Sequence, residues 1–158
     1  MKNIKLIGIL ATTLILSMSL TTFAQGRKLK QKHIDEYGTK VFNYEMNKVF
    51  PIILEVLKNN NFEIELERKE KGLIKTRRKV ISTTGIGTSS NTAQFTSNYR
   101  QYIVTIDESN QNETKVILKP RIFIGEADLT DRAVWVINGP AGEIKIWERL
   151  FNEIDERL

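Results

Sequence analysis

The residues best suited to chemistry surround the only histidine of the chain. His33 is followed closely by two acidic residues, Asp35 and Glu36. Histidine and carboxylate side chains are ligands for zinc, and together with a serine they form a nucleophilic triad. A metal site needs a full ligand set in fixed geometry, but the sequence offers no second histidine and no cysteine. We therefore expect no structural metal at His33, and we expect that the protein is not an enzyme.

A second candidate is the glycine-containing stretch "GIGTSS" at residues 85–90. A phosphate-binding loop needs a lysine and a following helix, and a dinucleotide fingerprint needs a third glycine. Neither condition is met, because the next pattern along the chain is that of a strand. We therefore expect no cofactor, and we predict a flexible loop between two strands over residues 82–98. Its large apolar residues, Ile86 and Phe95, would contact a partner or lipid.

Glutamates occupy alternate positions of the stretch "FEIELER" at residues 62–68. Catalytic carboxylates need a cleft that shifts their pKa, whereas strict alternation with apolar residues indicates the solvent face of a strand. We predict that these glutamates form cross-strand pairs with basic residues of the next strand. The predicted pairs join Glu63, Glu65 and Glu67 to Lys75, Arg77 and Lys79.

Basic residues are densest at the hairpin that follows this strand: Arg68, Lys69, Lys71, Lys75, Arg77, Arg78 and Lys79. One interpretation is a docking surface for anionic headgroups or for an acidic protein. The alternative is a solvated hairpin whose charges protect strand edges from aggregation. The net charge of +5 is modest. For an exported chain we expect an envelope protein or a membrane surface as partner, and not nucleic acid.

The first residues predict the destination of the chain. Lys2 and Lys5 precede an uncharged apolar run, and the run ends in "TTFA" with Ala24. This pattern is typical of a secretory signal peptide, so residues 1–24 are predicted to be removed and the protein to be periplasmic or extracellular. Residues 25–39 are polar and are predicted to be a linker. Residues 40–158 remain as one domain without disulfides, since the chain has no cysteine.

Apolar spacing within this domain predicts an α+β fold. Alternating residues predict strands at 40–46, 62–68, 73–81, 99–107 and 114–126, with a turn at Gly72 and a bulge or sheet edge at Pro120. Spacings of three and four predict a helix from Asn47 to about residue 59 and a second helix at 142–158. The predicted order β-α-β-β-β-β-α gives a two-layer sandwich, in which two helices cover one face of an antiparallel sheet of about four to five strands.

Residues 40–82 resemble the repeated domains of the BamC (NlpB) lipoproteins of the outer-membrane barrel-assembly machinery. The matching positions are Phe50, Leu57, Phe62, Gly72 and Ile74, and "IWERLFNEID" at residues 146–155 resembles the closing helix. The resemblance implies an accessory or scaffolding protein without catalysis. This chain differs from that family in having no lipid-attachment cysteine and a single copy of the domain.

Two functional hypotheses follow from these patterns. The first is an exported, non-enzymatic interaction module of the envelope. The alternative is a carrier of lipid or another small apolar ligand in a cavity between sheet and helices. The aromatic residues proposed to line that cavity are Tyr99, Tyr102, Phe123 and Trp135.

Overall fold

The computed structural model describes residues 28–87, 93–110, 112–132 and 142–158. Within these ranges the chain forms three α-helices and a single antiparallel sheet of seven strands. The helices are α1 (Gln31–Tyr37), α2 (Met46–Asn59) and α3 (Glu143–Asp155). The strands are β1 (Thr39–Phe42), β2 (Ile64–Arg68), β3 (Leu73–Thr76), β4 (Lys79–Gly87), β5 (Ala93–Asn110), β6 (Glu113–Ile124) and β7 (Ala127–Asp128).

The two long helices follow the apolar stripes of the sequence. Their buried residues recur at spacings of three and four, and burial of such a stripe stabilises helices that would be marginal alone in water. Helix α2 ends where Asn61 adopts a left-handed backbone with φ 59°, as the asparagine run predicted. It begins at Met46 after Glu45, so the prediction of Asn47 as the N-cap is wrong. Pro51 consequently lies inside the helix and not in its first turn.

The central strands of the sheet have the order β1-β6-β5-β3-β2. Strand β4 pairs with β5 along the same edge as β3, and β7 pairs with β6 along the same edge as β1. Strands β3 and β4 are one extended segment that is interrupted at Arg77 and Arg78. Thr76 bridges the interruption, because its Oγ1 accepts a hydrogen bond from the main-chain N–H of Tyr102 at 2.9 Å.

The core lies between one face of the sheet and the helices. Alternate residues of β5 and β6 face the helices, as the pairing of Tyr102 with Pro120 and of Val104 with Leu118 shows. All three helices contribute buried side chains to this same core. The opposite face of β5 and β6 carries Tyr99 opposite Phe123. The predicted mixed α and β class with an antiparallel sheet is confirmed, whereas the predicted numbers of strands and helices are wrong.

The predicted linker over residues 25–39 is wrong for residues 31–39, which form α1 and the start of β1. Helix α1 escaped detection because Ile34 is its only buried residue, so it has no apolar stripe. Gly38 joins it to the core, and its C=O accepts a hydrogen bond from Leu118 N–H at 2.7 Å. A Cβ at Gly38 would lie 3.0 Å from the ring of Trp147, so glycine permits this close approach.

The predicted loop over residues 82–98 is also wrong for most of its length. Strand β4 continues to Gly87 and β5 begins at Ala93, and the two strands pair from Lys79 with Arg100 to Gly87 with Ala93. The segment lacked an apolar alternation that would have indicated strands. Threonine, however, is favoured in strands, and pairing with a long neighbouring strand satisfies the backbone.

Strand β6 runs through Pro120 without the predicted interruption. Leu118 N–H bonds to Gly38 and Ile122 N–H bonds to Thr130, both on the side of β6 that faces away from β5. By alternation, the nitrogen of Pro120 faces the same side, where no ladder hydrogen bond is lost. The prediction of a sheet edge at Pro120 is confirmed, and the prediction of a bulge there is wrong. The predicted signal peptide lies outside the described residues.

Candidate interaction surface

The predicted basic cluster is divided between two ends of the β2–β3 hairpin. Arg68, Lys69 and Lys71 lie at the turn and are exposed. Gly72 closes that turn with φ 55°, as predicted. Within the described residues these three cations form no ion pair, so they are available to an anionic partner.

Two of the predicted cross-strand pairs are confirmed. Lys75 Nζ lies 2.6 Å from Glu65 Oε1, and Arg77 Nε lies 3.8 Å from Glu63 Oε2. The Glu65 carboxylate also accepts a hydrogen bond from Gln101 Nε2 at 3.0 Å. Pairs as exposed as these contribute about 0–1 kcal/mol each. Their main consequence is that Lys75 and Arg77 already have acidic partners.

Arg78 and Lys79 lie against aromatic rings. The guanidinium of Arg78 is 3.9 Å from the ring centroid of Phe123, and its Nη1 donates a hydrogen bond to Glu126 at 2.9 Å. Lys79 Nζ is 4.7 Å from the ring centroid of Phe62. Burial lowers the pKa of Lys79, and the nearby Arg149 and Arg100 lower it further. These cations support local structure, so the structure does not bring all seven predicted residues into one basic surface.

The β4–β5 ribbon, which we define as residues 79–87 and 93–100, is the most exposed apolar part of the described sheet. Phe95 is 73% exposed and Val80 is 53% exposed. Side-chain hydrogen bonds tie the two strands together, with Thr83 Oγ1 3.2 Å from Ser97 Oγ. The predicted contact residue Phe95 therefore lies on a paired strand. The main chain of Ile86 pairs with Gln94, and the side chain of Ile86 lies outside the description.

The aromatic residues proposed to line a ligand cavity do not share a face. Tyr102 is fully buried on the helix side of β5, and its ring packs edge-on against Phe62 at a centroid distance of 5.1 Å. Tyr99 and Phe123 face the other side of the sheet, as the register of β5 and β6 shows. Trp135 lies outside the described residues. The proposed set therefore does not line a common cavity between sheet and helices.

Phe123 is buried outside the main core, on the face of the sheet away from the helices. The guanidinium of Arg121 lies 5.0 Å from its ring centroid and is paired with Asp128. Hydrogen bonds from Thr130, followed by the contact with Arg121, lower the pKa of Asp128 to about 2. The β6–β7 turn is thereby held against the open face.

A buried polar cluster links β5 to the first turn of α3, and the sequence patterns did not reveal it. Glu143 is fully buried and lies 3.0 Å from Arg100 Nη2, and it accepts a hydrogen bond from the hydroxyl of Tyr102. Burial raises the pKa of Glu143, against the opposing effect of Arg100, and burial also raises the pKa of Tyr102. Glu143 had been assigned to the solvent side of its helix. Its place in the first turn, where an acidic side chain favours the helix dipole, was the available signal.

His33 has a local structural role. Its Nδ1 accepts a hydrogen bond from Lys30 N–H at 3.0 Å, which satisfies a main-chain donor at the start of α1. Asp35 accepts a hydrogen bond from Gln31 Nε2 at 2.9 Å. In the part of the chain that the structure describes, no group of three or more His, Asp or Glu side chains is placed to hold a metal ion. No helix in that part is long and apolar enough to cross a membrane.

Comparison with known proteins places the chain in no family. No family model matches the chain, and no curated protein matches it either. Ten chains of solved structures match, among them the crystal structure of a DUF4468 family protein from Bacteroides ovatus. That chain is 14% identical with a TM-score of 0.40, and the match covers 75% of this chain and 83% of the other. We draw no functional argument from a likeness of this size.

Proposed function

We propose that the protein is an exported, non-enzymatic interaction module of the cell envelope that binds an envelope protein through the β4–β5 ribbon. The observation that carries this proposal is the 73% exposure of Phe95 on a ribbon whose sequence has no charged residue from Val80 to Tyr99. Exposed aromatic side chains are costly to leave in water and supply much of the energy of protein interfaces.

The neighbouring apolar side chains support this choice of surface. Val80 pairs with Tyr99 in the ribbon register, and Val80 is 53% exposed. Residues 93–98 contribute nothing to the buried core, whose first member on β5 is Tyr102. The ribbon is therefore not needed to fill the core between sheet and helices, and its apolar side chains are free to be buried by a partner.

Two further observations agree with a role in the envelope. The sequence begins with a pattern typical of a signal peptide, and residues 40–82 resemble accessory domains of the barrel-assembly machinery. The exposed cations Arg68, Lys69 and Lys71 offer a second contact for acidic residues of a partner or for anionic headgroups. Such contacts would steer association more than they would stabilise the complex.

Site-specific photo-crosslinking in the native host tests the proposal. A photoreactive phenylalanine analogue at Phe95 is compared with the same analogue at Lys58, an exposed residue of α2 outside the ribbon. We expect a discrete crosslinked protein from position 95 that position 58 does not yield. The same crosslinked species from both positions, or none from position 95, would refute a ribbon-mediated role.

A second readout separates the carrier hypothesis. Native mass spectrometry of the purified full chain would detect a retained lipid as a fixed mass increment. A bound lipid together with no crosslink from position 95 would favour the carrier over the interaction module.

A further inference from the structure

We propose that two copies of this chain associate by antiparallel pairing of their β4 strands along the free edge of each sheet. This inference rests on the proposed function, because it assigns a second copy of the chain to the contact surface named there. The observations that carry it are the composition of the β4 edge, the direction of its main-chain groups and its self-complementary charge.

The other edges of the sheet carry features that prevent strand pairing. Strand β2 has charged side chains at most of its positions, and β1 and β7 have only four and two residues. On the outward side of β6, the segment between β1 and β7 contains Pro120, which has no N–H to donate. Charge, shortness and proline are the usual means by which natural sheets block edge-to-edge association.

Strand β4 has none of these features beyond its first residue. It spans nine residues, Lys79–Gly87, and contains no charged residue after Lys79 and no proline. Within the described part of the chain it pairs with β5 alone, so its other edge has no partner strand. Residues 80–83 are exposed. A long, uncharged and exposed edge strand is a template for another strand.

The direction of the main-chain groups can be derived from the ladder. Tyr102 N–H bonds to Thr76, so even-numbered residues of β5 direct their N–H groups toward the side of β3 and β4. Asn98 is even-numbered and pairs with Ser82. Because direction alternates along an antiparallel strand, Thr83 directs both its N–H and its C=O away from β5, toward the open edge.

A second copy is the occupant that the charges favour. A two-fold axis at Thr83 would place Lys79 of each copy opposite Gly87 of the other, so no two charges face each other in the pair. The net charge of +5 repels two copies elsewhere, and an uncharged edge is where they can meet without that cost. Each Thr83 N–H would then donate to the C=O of Thr83 in the other copy, which is the isologous contact expected of a dimer.

Charge-swap variants at Thr83 test this pairing, with association measured by sedimentation of the full chain over a concentration series. The Thr83 side chain is exposed, so Thr83→Lys and Thr83→Glu should leave the melting temperature nearly unchanged. Each variant places two like charges directly opposite each other in the pair. We expect each to weaken self-association at least about tenfold, and we expect an equimolar mixture of the two variants to restore it. The matched control, Lys58→Glu on α2, should associate as the wild type does.

A wild type that stays monomeric at the highest soluble concentration, or a mixture that does not restore association, would overturn the inference. If the wild type is monomeric while position 95 still crosslinks another protein, the interaction module stands and self-pairing is refuted. If the wild type dimerises through Thr83 and position 95 captures only the chain itself, self-pairing stands and the proposed envelope partner is refuted.

Discussion

The hydroxyl of Tyr102 donates a hydrogen bond to the carboxylate of Glu143, and both side chains are fully buried. This contact joins the centre of β5 to the first turn of α3. Arg100, two residues before Tyr102 on the same face of β5, lies 3.0 Å from the other carboxylate oxygen. Since its side chain is only 12% exposed, water can replace Glu143 as a partner to a small extent at most.

Replacing Glu143 with alanine should destabilise the protein strongly. The change leaves the Arg100 guanidinium without its buried partner and the Tyr102 hydroxyl without an acceptor. Breaking a buried ion pair from one side typically costs about 3–5 kcal/mol. Urea denaturation followed by circular dichroism would measure this loss. Glu156→Ala, at an exposed position just after the same helix, is the control and should change the free energy of unfolding by less than about 0.5 kcal/mol. Equal stability of the two variants would contradict a structural role for the cluster.

The same carboxylate predicts a pH dependence of stability. Burial raises the pKa of Glu143 above its ordinary value of 4.5, so the folded protein binds this proton more tightly than the unfolded chain. Its contribution to the free energy of unfolding is therefore complete below about pH 4.5 and is lost as the pH rises through the folded pKa. Glu143→Gln keeps an acceptor for Tyr102 but does not titrate.

Denaturation of the wild type and of Glu143→Gln across a pH series measures this effect. We expect the stability of the wild type relative to the variant to be highest at acidic pH, to fall as the pH rises, and to level off above the folded pKa. A difference that is constant, or that grows with pH, would show that the carboxylate is not held with a raised pKa.

Gly72 should be far less tolerant of a side chain than Gly125. Both have left-handed backbones, with φ 55° and φ 57°, so alanine is strained at either position by about 1–2 kcal/mol. A Cβ at Gly72 would lie 1.8 Å from the main-chain oxygen of Ile106, whereas a Cβ at Gly125 meets nothing within 4 Å. We expect Gly72→Ala to lower the free energy of unfolding at least about twice as much as Gly125→Ala. Similar melting temperatures for the two variants would refute the proposed clash.

Local sequence patterns were sufficient where burial follows a regular period. The stripes of α2 and α3 and the hairpin closed by Gly72 could be read directly, because helical and strand periods place apolar residues on one face. Short or polar elements carry no such signal. Helix α1 buries only Ile34, and the β4–β5 ribbon is rich in threonine, serine and asparagine, so both were predicted as irregular.

The candidate site shows the same division. Phe95 could be selected from the sequence as an isolated aromatic residue in a polar stretch, and the pairs of Lys75 with Glu65 and of Arg77 with Glu63 followed from alternation. The cluster of Arg100, Tyr102 and Glu143 could not be predicted, because it joins a strand and a helix that are far apart in the chain.

Short-range spacing thus specified two helices, one hairpin and the mixed α and β class, since each depends on neighbours within a few residues. Packing in three dimensions decided which charges would be buried, which turn of α1 would lie on Trp147, and which strand would be left with an open edge. Those outcomes depend on contacts between distant segments. Their free energies come from burial and hydrogen bonding across the sheet, which a local pattern does not encode.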